Sequence, residues 1–540
     1  RKINEYSLLE KEIGSVFGKI LGFDQINIHD NYFELGGDSI YAAKIIAVIN
    51  QCYQTNLTIA DLLQHPIFED FVEQVTKCIG LEQQELVSTS GMEKIPLAPI
   101  AKNYPLSSEQ KRIFLIEMMD MVEWAYHVPA VIILHGKIDQ MKIKRILKSM
   151  VQRHEILRTT FMQYHGAPVQ NIHTDGIVDF QFNELGEHTL EMYFEKWMKP
   201  FSLDKLPLFR VALVSMGDKR EYALLMDLHH MITDGVSANI FLNEFMALYA
   251  DQQLPNTVYQ YKDYATWQDS LLTQTDSSVN ADYWRSVFRD LPEPLQLPYD
   301  YVRPARKSFK GEMIEWKLES QLSDDVYQLA ESNAVSLFVL MMTFYYILLS
   351  KYSNQTDIVI GTPVHNRPTG FDQTMGIFLN TLPLRISCNT SMTFVDLLTR
   401  VNQIWLEALK HMDYPFDQLI KDLRLNASLN RNLLFDTMLI VQNIQTEPKK
   451  IDQLTAKPYH MPLHAAKFDM KLEIFTETEG LRFTLDYSTA LFQRSTIEGM
   501  CRSFDKIIKT VIQNENIKLC NIHLADDMLS QSITDLFIAP

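Results

Sequence analysis

Apolar residues recur at helical spacing along the first 80 positions, with Leu8, Leu9, Ile13, Val16, Phe17 and Ile20 on one face and Ile40, Ala43, Ile46 and Ile49 on another. The periodicity predicts four helices, near 5–22, 39–51, 58–64 and 67–79. From Leu81 to Asn103 it fails; Ser88, Thr89, Ser90 and Gly91 cluster there, Pro96, Pro99 and Pro105 follow, and the stretch reads as a linker. Helical and strand patterns then alternate. Helices are predicted at Ser108–Asp120, Met141–His154, Ser237–Ala250, Ser323–Ser332, Ser336–Lys351 and Phe394–His411. Strands are predicted at Ala130–Leu134, Glu221–Leu228, Asp357–Thr362 and Arg482–Tyr487, which makes the larger part an α/β fold. Four prolines within Leu291–Pro304 mark a connection between two lobes of similar size. The expected organisation is a small helical unit at 1–80, a linker at 81–103, lobes at 104–290 and 291–525, and the start of a further linker at 526–540.

Composition narrows this picture. At 540 residues the chain has room for three or four cores of about 150 residues each. Hydrophobic residues at 46% and charged residues at 22% exclude disordered and collagen-like classes. The most apolar stretch, Ser336–Ser350, falls short of the roughly 18 residues a membrane span needs, so a buried helix is expected and no membrane partner. A net charge of −17 argues against a nucleic-acid surface. The five cysteines (Cys52, Cys78, Cys388, Cys501 and Cys520) are widely spaced and include no CxxC pair, which disfavours a disulfide framework or a zinc site and fits a reducing cytoplasm. The chain has no initiator methionine and ends abruptly at Ile538-Ala539-Pro540, so an excised piece of something longer is expected.

Two stretches carry chemistry. In Leu228-His229-His230-Met231-Ile232-Thr233-Asp234-Gly235 an apolar strand pattern ends in paired imidazoles, and a helical pattern begins near Ser237. Consecutive residues of a regular backbone point in different directions, so one histidine of the pair faces a given cleft. The H-E-x-x-H spacing of a zinc helix is absent, and a packed turn histidine is the plainer local reading. Asp234-Gly235 weakens it by placing a turn and a helix start beside the imidazole. In Asn31-Tyr32-Phe33-Glu34-Leu35-Gly36-Gly37-Asp38-Ser39-Ile40 a serine follows a glycine turn at another helix start. Locally Ser39 reads as an N-cap; glycine freedom and a helix N-terminus also suit a serine that becomes a phosphodiester.

Phe33 to Ile40, on a four-helix unit of this length, resembles the carrier motif of peptidyl carrier proteins in nonribosomal peptide synthetases. The resemblance implies 4′-phosphopantetheine on Ser39, installed by a separate phosphopantetheinyl transferase, with its thiol holding an aminoacyl or peptidyl thioester. His229 to Gly235 resembles the HHxxxDG signature of condensation domains, which are related to chloramphenicol acetyltransferase. Tyr104 to Arg112 resembles the first condensation motif, Arg153 to Phe161 the second, Tyr261 to Trp267 the fourth, Met375 to Arg385 the fifth, His411 to Asp417 the sixth, and Leu429 to Phe435 the last. Glu109 and Leu379 depart from the usual residues of the first and fifth motifs. Arg158, Tyr264 and Trp267 read as structural residues within these matches.

The fold so implied is a small four-helix carrier bundle followed by a two-lobed α/β domain of the chloramphenicol acetyltransferase-like type. Amide formation requires an amine to attack a thioester, lose a proton and expel a thiolate through a tetrahedral oxyanion. The resemblance gives His230 the catalytic place, with the Gly235 backbone beside it to polarise the thioester. His229, Asp234 and Arg367 become structural residues of the active site, Arg367 pairing with Asp234. The carrier would present the donor, loaded by an upstream adenylation domain; the acceptor would sit on a downstream carrier with its own adenylation domain. Three alternatives stand beside this reading: epimerization of the Ser39-bound residue, acyl transfer from free coenzyme A, and a carrier joined to a non-catalytic docking or recruitment domain.

Overall fold

The computed structural model describes residues 6–524 apart from 24, 38, 54, 56, 86–94, 119–124, 218–219, 275–278, 426–427, 443–448, 452–453, 460, 462–463 and 478–479. Asp38, the centre of the 81–103 linker and the expected linker start at 526–540 lie outside the described residues.

The first four helices are Leu8–Leu21, Ser39–Tyr53, Ile59–Gln64 and Phe68–Glu85. Ser7 and Glu10 form a capping box at the start of the first, and Gly22, at φ +87°, ends it in the left-handed conformation that glycine adopts without a Cβ penalty. Phe17 holds the bundle together, edge-on to Tyr32 at 6.1 Å and to Phe68 at 5.3 Å. The fourth helix continues through Leu81–Glu85, residues assigned above to the linker. The hydrophobic period is lost there, yet Leu, Glu and Gln are strong helix formers and the backbone follows them. The short helix Ile59–Gln64 rests on the helix Phe394–Lys410 of the larger part.

The larger part has two lobes, each built on a six-stranded sheet. The N-terminal sheet runs in the order Lys449–Ile451, Leu454–Tyr459, His127–His135, Glu221–His229, Phe209–Ser215, Phe180–Glu184. The C-terminal sheet runs Leu379–Ser387, Asp357–His365, Thr437–Gln442, Met470–Glu477, Gly480–Ser488, Gly311–Lys317. The Ser336–Ser350 segment lies in the helix Leu337–Ser353, whose residues Val339 to Leu349 are all buried. No single helix among the described residues is long and apolar enough to cross a membrane, and all five cysteines are free thiols.

The two lobes exchange segments, which a single cut at residue 291 does not capture. Leu454–Tyr459 leaves the C-terminal lobe and pairs antiparallel with His127–His135, adding two strands to the N-terminal sheet together with Lys449–Ile451. In the other direction, Trp284 and Phe288 pack in the C-terminal core, while Phe371, Met375, Ile377 and Phe378 pack in the N-terminal one. Burial explains each exchange: these aromatic and aliphatic side chains fill whichever core their connection reaches. Trp284 is 2% exposed, and its indole N–H donates to the His411 carbonyl at 2.9 Å. Trp284→Ala is expected to cost the C-terminal lobe about 3–5 kcal/mol, seen as a lower urea midpoint for that lobe's unfolding.

Candidate active site

The site begins where the strand Glu221–His229 ends. His229, its last residue, is buried, accepts the Met231 backbone N–H on Nδ1 at 3.1 Å, and places Nε2 3.2 Å from Glu117. Behind it, His127 bonds both carboxylate oxygens of Asp227, at 3.0 and 2.9 Å, and Arg210 stacks 3.9 Å over Phe201. Burial lowers the pKa of His229, opposed by Glu117.

His230 turns the other way. Its backbone N–H donates to the Tyr126 carbonyl at 2.8 Å, and its Nδ1 lies 2.9 Å from the Thr233 carbonyl. A carbonyl only accepts, so Nδ1 carries the ring proton and Nε2 keeps its lone pair. Burial holds the imidazole well below its ordinary pKa, reinforced by the Lys467 ammonium and, more weakly, by His229 and Arg112, against a backbone hydrogen bond that acts in the opposite sense. The ring is therefore a neutral acceptor at neutral pH. The two histidines diverge as the residue alternation requires.

Asp234 closes the loop. It is the N-cap of the helix Gly235–Tyr249, accepting the Ser237 N–H on Oδ1 at 2.7 Å, and is fully buried. Its other oxygen accepts the Phe378 N–H at 2.9 Å, and Arg367 Nη2 approaches Oδ1 at 3.3 Å. Arg367 also donates to Ser237 Oγ at 3.1 Å, to the carbonyls of Phe371 and Thr374, and lies 4.1 Å over the Phe378 ring. Ser237 and Gly376 meet twice: Ser237 Oγ lies 2.6 Å from the Gly376 carbonyl and 3.0 Å from its N–H. One carboxylate thus joins a helix cap, a loop amide and a guanidinium from three parts of the chain.

The other motif stretches brace this lock. Ser107 Oγ and the Ile377 carbonyl both bond the Tyr261 hydroxyl at 2.7 Å, which joins the first, fourth and fifth motifs. A Cβ at Gly376 would stand 1.9 Å from the Tyr261 ring, so only glycine fits. Gln110 holds the Met231 carbonyl at 3.0 Å. Arg153 and His154 grip Glu244, on the signature helix, at 3.0 and 2.6 Å. Arg158 donates to the His173 carbonyl and lies 3.7 Å from Glu155. Asn380 ties the fifth motif to the sixth through the Met412 and Tyr414 carbonyls, both at 2.7 Å.

Gly235 is the first residue of the helix that Asp234 caps. A Cβ there would meet no protein atom within 4 Å, and its φ lies outside the left-handed region. Neither the turn nor packing demands glycine, and the residue is exposed. Sequence reasoning missed Tyr126, Glu117, the His127–Asp227 pair and Lys467. None stands in a signature, and their signal is spatial: Tyr126 and His127 lie across the sheet register from the histidine pair. The described residues hold no cluster of three or more metal-ligating side chains.

A family model of the condensation domain matches residues 100–534, and one of the phosphopantetheine attachment site matches residues 11–75. The chain belongs to the condensation-domain family. Among curated proteins it is 34% identical over 526 residues to gramicidin S synthase 2 of Brevibacillus brevis, covering 97% of this chain and 12% of that protein. It is likewise 34% identical over 526 residues to tyrocidine synthase 3 of Brevibacillus parabrevis, covering 97% of this chain and 8% of that one. The chain therefore spans about a tenth of these relatives' length. Its fold matches the X-domain from teicoplanin biosynthesis with a TM-score of 0.74 at 22% identity, covering 80% of this chain and all of that one. A four-domain nonribosomal peptide synthetase bound to AMP and glycine also matches at 0.74, with 20% identity, over 83% of this chain and 35% of that one. The carrier preceding the condensation domain carries its phosphopantetheine attachment site.

In this condensation domain, loss of the Asp234 carboxylate strands the buried Arg367 charge and frees the helix cap together. Asp234→Ala is expected to destabilise the two-lobed domain by about 3–5 kcal/mol, measured as a fall in thermal midpoint.

Proposed function

We propose that this chain catalyses amide-bond formation in nonribosomal peptide synthesis, passing an acyl group held on Ser39 to the amine of an acceptor on a downstream carrier. The observation that carries the reading is the tautomer of His230: Nδ1 is committed to the Thr233 carbonyl, which leaves Nε2 as the acceptor, and no protein partner for it appears among the described residues. His230 accepts a proton, or a hydrogen bond, from the attacking amine; Asp234 and Arg367 hold the loop that aims it; the open space beside Gly235 admits the reacting groups.

The carrier's residues fit the phosphopantetheine arm. Ser39 opens a 15-residue helix, and Gly36 before it sits at φ +76° with no protein atom near its missing Cβ. Gly37 lies so close to Tyr32 that a Cβ would come within 2.4 Å of the ring. A compact turn of this kind at a helix N-terminus leaves backbone N–H groups for a phosphodiester. When bound, the arm supplies a thiol that carries the acyl group as a thioester. The partners proposed with this reading are a phosphopantetheinyl transferase, an upstream adenylation domain, downstream adenylation and carrier domains, and a reducing cytoplasm as the compartment.

Recruitment is the second reading, because a neighbouring fold was solved as a complex of the X-domain and OxyB. The intact His230, Asp234 and Arg367 set favours catalysis. Incubating the loaded chain with a loaded downstream carrier, followed by intact-protein mass spectrometry, separates the readings. Condensation predicts that donor mass moves to the acceptor. Recruitment predicts no transfer, and epimerization predicts inverted α-carbon stereochemistry without an acceptor.

Three expectations follow from the site. Ser39→Ala abolishes the mass gained on treatment with transferase and coenzyme A; an arm mapped to another serine contradicts the assignment. His230→Ala leaves that loading intact and slows transfer by on the order of 10²-fold, whereas His229→Ala acts through stability. Because the imidazole is held below its ordinary pKa, the basic form that transfer needs persists as pH falls, and the acidic limb of the rate profile lies below about pH 6.5.

A further inference from the structure

The segment that returns from Leu454–Tyr459 to Met470–Glu477 brings Lys467 toward His230. Its ammonium stands 4.8 Å over the Tyr126 ring, and that ring lies edge-on to His230 with centroids 6.4 Å apart. The backbone at this point is pinned: the Lys467 carbonyl accepts Lys307 Nζ at 2.5 Å and Asn432 Nδ2 at 3.2 Å. The next residue but one, Asp469, is held by Arg303 and Tyr299. Asn432 belongs to the last motif, so that stretch helps to fix this strap.

Two of the neighbouring cations are paired with carboxylates, and a third, Lys307, is held by neutral oxygens. Arg112 pairs with Glu109 at 2.8 Å, Lys471 with Glu473 at 2.9 Å and with Asp486 at 2.7 Å, and Lys307 also reaches Asn432 Oδ1 at 2.5 Å. Lys467 forms no ion pair among the described residues; the Tyr126 face is its contact. Taking a cation without a carboxylate partner out of water is costly, and the Tyr126 face offsets part of that cost.

We infer that Lys467 is a positioning residue for transfer: its ammonium, carried in on the strap and held over Tyr126, supplies a positive field that favours the proton-accepting form of His230. The inference rests on the reading of the site as a condensation centre. Burial first, then Lys471 and Arg112, pull Lys467 down to about 7, opposed by Asp486 and Glu473. Its charge is thus present below about pH 7, in the range where an ordinary imidazole would take up a proton. Around His230 itself stand Lys467, Arg112 and His229, each opposing protonation, and Glu117 is engaged by His229.

The test is a 15N NMR titration of histidine in the full chain, with the His230 resonance assigned by its loss in His230→Ala. Lys467→Met is expected to raise the His230 midpoint, and Lys467→Arg to keep it at or below that of the unsubstituted chain. In single-turnover transfer, the acidic limb of the Lys467→Met rate profile is expected to move to higher pH together with the His230 midpoint. Lys467→Gln carries the same expectation if Lys467→Met fails to fold. An unmoved His230 midpoint in a folded Met or Gln variant overturns the inference. A moved midpoint with an unmoved rate profile upholds the action of Lys467 on His230 and overturns instead the reading of His230 as proton acceptor.

Discussion

The buried Asp234 carboxylate is the point on which the site depends. It caps a helix of the N-terminal lobe, accepts a loop amide at Phe378, and meets Arg367 from the end of a C-terminal strand. A buried ion pair contributes little net stability over an apolar replacement, because desolvation offsets most of the attraction. What it contributes here is geometry: each Asp234 oxygen is committed, so the turn from Ile232 to Gly235 has one arrangement. His230 inherits that arrangement through its bond to the Thr233 carbonyl.

The exchange of segments between lobes follows from the same need. A site at a lobe boundary wanders if each lobe folds on its own scaffold alone. Here Phe371 to Phe378 extend from the C-terminal lobe into the N-terminal core, and Leu454–Tyr459 completes the N-terminal sheet before the chain returns with Lys467. The lobes are thereby registered by covalent connection as well as by packing. Although the chain's net charge is −17, the charged groups that act on the imidazole are Lys467 and Arg112, which disfavour its protonation.

Much of this was legible in the sequence. The helical and strand periods located nearly every element they named, since caps such as Ser107 and Thr393 and the apolar run of Glu221 to His229 are local properties. The divergence of His229 and His230 follows from alternation alone. The pairing of Asp234 with Arg367 came from resemblance, and the structure places the two in contact. The sequence misled where local pattern and tertiary need differ. Leu81–Glu85 lost the hydrophobic period but kept helix propensity, and Leu291–Pro304 reads as a lobe boundary although Trp284 already lies in the second core. Lys467 carries no local signal, because its place depends on a crossover and on residues more than 300 positions earlier in the chain.

The central claim is that Asp234 and Arg367 act as one unit in fixing the His230 loop. A double-mutant cycle on single-turnover transfer, using Asp234→Ala, Arg367→Ala and the pair in variants checked for folding, tests it most directly. The account predicts strong coupling, with the double variant no slower than the slower single one. Independent effects, in which the losses of the two single variants multiply in the double, would contradict it.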